Sequence, residues 1–145
     1  MNFSFFIKKK EQNLFRGLVD FHNHILPAID DGSQSLEQSL KMLKCYEALE
    51  IERVLASPHI YQDLYPNTPK TIQSAYEVLD LKAKNNPTKL IGYAAEYMVD
   101  EFFLKSLQNN NELLCCFDRA VLIEMNYFEN PDILKRVQFE LQNSN

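Results

Sequence analysis

Four short β-branched or aromatic runs recur along the chain with helical patterns between them, and this alternation narrows the fold more than any other feature. The runs are "GLVDFH" (17–22), "RVLASPH" (53–59), which Pro58 stops, "KLIGYAAEY" (89–97) and "RAVLIEM" (119–125). Strand, helix, strand at roughly 30 residues per unit predicts a parallel sheet in an α/β fold. The runs are continuously apolar, as expected of strands covered on both faces. Between them, Ser35 is placed to cap a helix, with Gln38 three residues on to complete a capping box. Thr68 followed by Pro69 is a second helix start, and Ile72, Ala75, Tyr76, Leu79 and Ala83 give that helix one apolar face. "NNP" (85–87) closes it. A short helix is expected around 100–107, then the polar linker "QNNNE". Asn130-Pro131 begins a last helix carrying Ile133, Leu134, Val137 and Leu141.

With 145 residues the chain is long enough for one domain with a core, and 46% hydrophobic content marks a globular protein. The net charge of −5 argues against a nucleic-acid binder. No apolar run approaches a membrane span. The start, "MNFSFFIKKK", places its lysines after a very short apolar patch, the reverse of a secretory signal. It reads as a tail, residues 1–16, leaving 17–145 as the domain. The alternative for the tail is weak peripheral contact with an anionic membrane surface through Phe3, Phe5, Phe6 and the lysines. Cys45, Cys115 and Cys116 have neither framework nor zinc-finger spacing, which suggests reduced thiols in the cytoplasm.

The unusual polar residues fall at strand ends. His22 and His24 close the first run, His59 the second, Glu96 the third and Glu124 the fourth. In a parallel sheet these ends share one rim, where α/β folds place their sites. His22 and His24 are two apart on an extended segment, so both rings can point the same way. All three histidines of the chain lie on this inferred rim. Asp30 and Asp31 lead into Gly32 and read as turn chemistry, with one of them able to reach the rim. Imidazoles with carboxylates and no thiolate suit Mn, Fe or Zn. Such sites activate water and clamp phosphate-ester oxygens.

Those residues carry a resemblance. "DFHNHILPAIDDG" (20–32) is similar to the opening motif D-x-H-x-H-x-L-P-G-x-D-D-G of bacterial manganese-dependent protein-tyrosine phosphatases of capsule and exopolysaccharide loci. These belong to the polymerase and histidinol phosphatase (PHP) superfamily. Ala28 stands where that motif has glycine. "ASPH" (56–59) resembles A-T-P-H, "AAEY" (94–97) lies where the family has G-x-E, and "LIEM" (122–125) resembles L-I-E.

The resemblance implies a distorted (β/α)7 barrel, of which this chain supplies about four of seven units. It implies hydrolysis of phosphotyrosine in proteins with up to three Mn ions. His22, His24 and Glu96 would hold the first, with Glu96 bridging to a second that Glu124 also serves. Asp31 and His59 would hold the third. It further implies a polysaccharide-export tyrosine kinase as the partner. The family continues past this point with an H-P-E-R motif, a further histidine and a closing D-x-H. The expectation is therefore a truncated, frameshifted or split chain, impaired in activity. Two alternatives stand beside it: an inactive remnant or interaction module, and a phosphoesterase of the same superfamily acting on a small phosphate ester. Oligomer formation is left open.

Overall fold

The computed structural model describes residues 15–125 and 131–143. Its elements run β1 (Val19–Asp20), α1 (Leu36–Ala48), β2 (Arg53–Ala56), β3 (His59–Ile60), α2 (Pro69–Ala83), β4 (Lys89–Tyr93), β5 (Glu96–Met98), α3 (Glu101–Gln108), β6 (Leu122–Glu124) and α4 (Pro131–Asn143). Every paired strand is parallel, in two short sheets of order β1-β2-β4 and β3-β5-β6. The α/β alternation read from the sequence is therefore the architecture. Most of the tail 1–16 lies outside the described residues, as do its proposed membrane contacts. Among the described residues no helix is long and apolar enough to cross a membrane.

The strands themselves differ from expectation. The second and third runs are each divided in two, by Ser57-Pro58 and by Ala94-Ala95. Proline has no N–H to give to a ladder. Around these breaks the backbone bonds leave the strand pairs: Ser57 N–H donates to the Asn23 carbonyl, Ala95 N–H to that of Leu114, and Glu96 N–H to that of Pro58. The first run forms a ladder only at Val19–Asp20, so Phe21 to His24 continue beyond the sheet. The last forms one only at Leu122–Glu124, because Cys116 and Ala120 close a tight antiparallel bridge before it. Between β2 and β4 the register shifts at Val54/Leu55, opposite Gly92 at φ 143°, a local bulge that needs glycine.

The helix starts follow their sequence signals, with one difference. Ser35 caps α1, accepting from Gln38 N–H, but the Gln38 side chain accepts from Gln34 N–H rather than from the cap itself. The reciprocal box occurs at α2 instead, between Thr68 and Thr71, with Pro69 in the first turn. Asp100 caps α3. Pro131 opens α4, while Asn130 lies outside the described residues.

Packing divides the sheet into two faces. Val54 and Ala56 join Leu43, Ile72, Leu79, Leu104 and Val137 in a core covered by the helices. Leu55, between them, points the other way and meets Ala94, Cys116 and Leu122 in a second, smaller cluster. Phe21 and Phe117 stand at the margin of that second face, edge to face with ring centroids 5.8 Å apart. α1 is tied back to β1 by the Tyr46 hydroxyl, which donates to Asp20 Oδ2 at 2.6 Å.

Candidate metal centre

The segment after β1 is fixed by the residue between its two histidines. Asn23 is buried; its N–H donates to Ser57 Oγ at 2.9 Å and its Nδ2 donates to the Leu55 carbonyl at 3.0 Å. This anchoring leaves His22 and His24 on one side, where both meet the same carboxylate. His22 Nε2 lies 3.1 Å from Glu96 Oε1, and His24 Nε2 lies 3.3 Å from Glu96 Oε2. Glu96 is only 4% exposed and opens β5, directly beside His59, which opens β3.

His59 ties three carboxylates together. Its Nδ1 is 3.3 Å from Glu96 Oε2 and 3.5 Å from Glu124 Oε2, while its Nε2 is 3.5 Å from Asp31 Oδ1. The Nδ1 atom is buried and makes no hydrogen bond. Glu124 reaches the cluster from the end of β6. The six expected residues thus come together, although not as a row of strand ends. His22 and His24 follow β1, His59 and Glu96 begin strands after the breaks, and Asp31 lies in the loop before α1.

The loop holds its shape through two residues the sequence did not single out as part of the site. Asp30 is buried, and its Oδ2 lies 2.8 Å from His24 Nδ1 and accepts from His59 N–H at 3.1 Å. Its Oδ1 accepts from Gly32 N–H at 3.0 Å. Burial pushes the Asp30 carboxyl up, but the bonds from His24, Gly32 and His59 outweigh it and hold the group below its usual value. The same bond to Asp30 raises the His24 imidazole, against its own desolvation. Gly32 is needed for close approach: a Cβ there would lie 2.2 Å from both Cβ and the carbonyl oxygen of His24. Asn67, from the loop after β3, donates through Nδ2 to the carbonyls of Ile29 and His59, at 2.8 and 2.9 Å. The only sequence clue to Asp30 was its place in the Asp-Asp pair; nothing local pointed to Asn67.

Donor atoms fall into three overlapping groups: His22, His24 and Glu96; His24, Asp31 and His59; His59, Glu96 and Glu124. Within each group one atom per residue lies within 4.8 Å of the others. Among the described residues, no lysine or arginine forms an ion pair with Asp30, Asp31, Glu96 or Glu124. Carboxylates packed among imidazoles with no lysine or arginine partner, beside a buried imidazole nitrogen that lacks a hydrogen bond, fit a divalent cation. Cys45, Cys115 and Cys116 are free thiols outside these groups, and burial pushes those of Cys115 and Cys116 up.

Known proteins resemble this chain in both sequence and fold. A sequence model of the family described as capsular polysaccharide synthesis, CpsB/CapC, matches residues 18–143. CapC of Staphylococcus aureus, which carries the name of a tyrosine-protein phosphatase, is 26% identical over 129 residues, covering 86% of this chain and 49% of that protein. The tyrosine-protein phosphatase YwqE of Bacillus subtilis (strain 168) is 33% identical over 63 residues, covering 43% of this chain and 25% of that protein. The fold matches a chain from the crystal structures of YwqE from B. subtilis and CpsB from Streptococcus pneumoniae, described as unique metal-dependent tyrosine phosphatases. That match has a TM-score of 0.74 at 26% identity and covers 87% of this chain and 51% of the other. The chain spans about half the length of CapC and of the matched crystal chain.

Proposed function

Because the chain belongs to the CpsB/CapC family of capsular polysaccharide synthesis, we propose that it is a metal-dependent protein-tyrosine phosphatase built on His22, His24, Asp31, His59, Glu96 and Glu124. The observation that carries this reading is the chain of shared donors across three groups, in which His24 joins the first to the second, His59 the second to the third, and the buried Glu96 the first to the third. His22, His24 and Glu96 would hold one ion; Glu96 and Glu124 would serve a second. Asp31 and His59 would serve a third. His59 stands between the last two, because Nδ1 faces Glu96 and Glu124 while Nε2 faces Asp31. Bound divalent ions would acidify water and offset the charge of a phosphate ester.

The chain's own residues prepare the site. With its Nδ1–H donating to Asp30, His24 would present the Nε2 lone pair toward Glu96 when an ion is bound. Asn23 and Gly32 fix the backbone on either side of that ring, so its direction is set before any ligand arrives. Imidazole with carboxylate suits Mn, Fe or Zn, and Mn is the proposed ion on the resemblance to manganese-dependent phosphatases. The substrate class is a phosphotyrosine protein, a polysaccharide-export tyrosine kinase being the proposed partner. The cytoplasm is the proposed compartment. Residues 17–145 form the proposed PHP domain, with 1–16 as its tail.

The test is release of phosphate from a phosphotyrosyl peptide by the purified chain, with Mn²⁺ and with EDTA. Turnover that requires Mn²⁺ and is lost in the His22→Ala, His59→Ala double variant supports the reading. Undiminished turnover in that variant overturns it. A second reading, an interaction module without turnover, draws on the apolar face at Leu55, with Phe21 46% and Phe117 56% exposed beside it. A chain that melts cooperatively and has no affinity for Mn²⁺ selects that reading.

A further inference from the structure

His59 is the residue whose exact ring plane matters most, because its two nitrogens face different carboxylates. Its Nδ1 makes no hydrogen bond that would set that plane. A histidine ligand ordinarily has its second nitrogen held by a carboxylate or a carbonyl, as Asp30 holds His24. At His59 that device is missing, and something else must orient the ring.

Tyr65 supplies a surface for it. The Tyr65 ring lies nearly parallel to the His59 imidazole, with 11° between planes and 5.4 Å between centroids, within the range of offset stacking. The ring is carried by a closed five-residue turn. Tyr61 N–H donates to the Tyr65 carbonyl at 3.0 Å, and Tyr65 N–H donates back to Tyr61 at 2.7 Å. Asn67 N–H also donates to the Tyr65 carbonyl, at 2.6 Å, while its side chain is tied to the His59 carbonyl at 2.9 Å. The turn is therefore fastened both to itself and to the backbone of the residue its ring covers.

We propose that Tyr65 is a positioning residue of the metal centre, whose stacked ring fixes the plane in which His59 presents one nitrogen to Asp31 and the other to Glu96 and Glu124. The role belongs to the aromatic face rather than to the hydroxyl. It rests on the reading of His59 as a metal ligand. Losing such an orienting neighbour costs about tenfold in metal affinity.

Three proteins separate the outcomes: wild type, Tyr65→Phe and Tyr65→Leu. Affinity for Co²⁺ is measured by calorimetry, and the His59 ring protons are followed by NMR in the metal-free chain. Tyr65→Phe should bind Co²⁺ within about twofold of wild type and Tyr65→Leu about tenfold more weakly, with unchanged metal-free melting. The His59 ring protons should move downfield in Tyr65→Leu alone, as the shielding ring is removed. Equal Co²⁺ affinity in all three proteins overturns the proposal, and so does an equal loss in Tyr65→Phe. If wild type binds no Co²⁺, the metal reading of the cluster has failed. The NMR comparison then decides separately: nuclear Overhauser contacts of the His59 ring protons that stay the same in Tyr65→Leu overturn the orienting role, and contacts altered in that variant alone support it.

Discussion

Leu79 on α2 and Glu96 on β5 are buried to nearly the same depth, 0% and 4% exposed, in surroundings of opposite character. Leu79 lies in the apolar cluster between helices and sheet, where each neighbour gains by excluding water. Glu96 lies among three imidazoles, near further carboxylates, where burial alone is unfavourable. The first region stabilises the chain as it stands. On the proposed reading, the second is held in place by the first and gains further stabilisation when a cation binds. Metal and stability should therefore separate cleanly between the two.

The largest effect is expected in the core. Leu79→Ala should lower unfolding free energy by about 3 kcal/mol, by the same amount with and without Mn²⁺, as read by denaturant melts. A loss that depended on Mn²⁺ would mean that the two regions are not separable. The converse variant is Glu96→Gln, which keeps the shape and removes the buried charge. Its metal-free midpoint should change little. The increment from Mn²⁺, about 2.7 kcal/mol at a hundredfold excess over Kd, should vanish. A Glu96→Gln protein still stabilised by Mn²⁺ would remove Glu96 from the site.

Asp30 belongs to both regions and sharpens the contrast. It accepts backbone N–H bonds from Gly32 and His59 while holding His24. Asp30→Asn should cost about 1–2 kcal/mol in the metal-free chain and weaken Mn²⁺ binding about tenfold. Calorimetry with and without Mn²⁺ checks both numbers. A variant that lost only one of them would assign Asp30 to one region alone.

How much of this the sequence could reveal follows the same division. The helices were legible because their caps and apolar spacing are local, as at Ser35, Thr68 and Leu79. Five of the six expected donors, His22, His24, His59, Glu96 and Glu124, were legible because they fell at ends of apolar runs, whereas Asp31 was told from Asp30 only by the resemblance. The break in the third run was not, because Ala95 leaves the ladder for a partner at Leu114, remote in the chain, whereas Pro58 marked the stop in the second. Asp30 was read as turn chemistry with a chance of reaching the rim, and nothing local marked Asn23 or Tyr65. Each is defined by what it touches in space, and neither periodicity nor spacing carries that information.

The smallest expected effect concerns strain, which is also unevenly shared. Ala28, in the loop between His24 and Asp31, has φ 59°, a left-handed conformation that favours glycine. It stands where the resembling motif has glycine, so the sequence marked the position but gave no backbone angle. The conformation is held by Ala28 N–H donating to the Ser33 carbonyl at 2.7 Å, within the same loop that Asp30 and Gly32 brace. Ala28→Gly removes the Cβ conflict but also frees the unfolded chain, and the two terms oppose each other. The conflict is the larger, so Ala28→Gly should raise stability by about 0.5 kcal/mol, measured as a shift of the denaturant midpoint at constant slope. Mn²⁺ affinity should stay as it was, because Asp30, Gly32 and Asn23 still fix the loop. A stabilised Ala28→Gly protein that bound Mn²⁺ more weakly would show that the strain at Ala28 itself helps to present the donors.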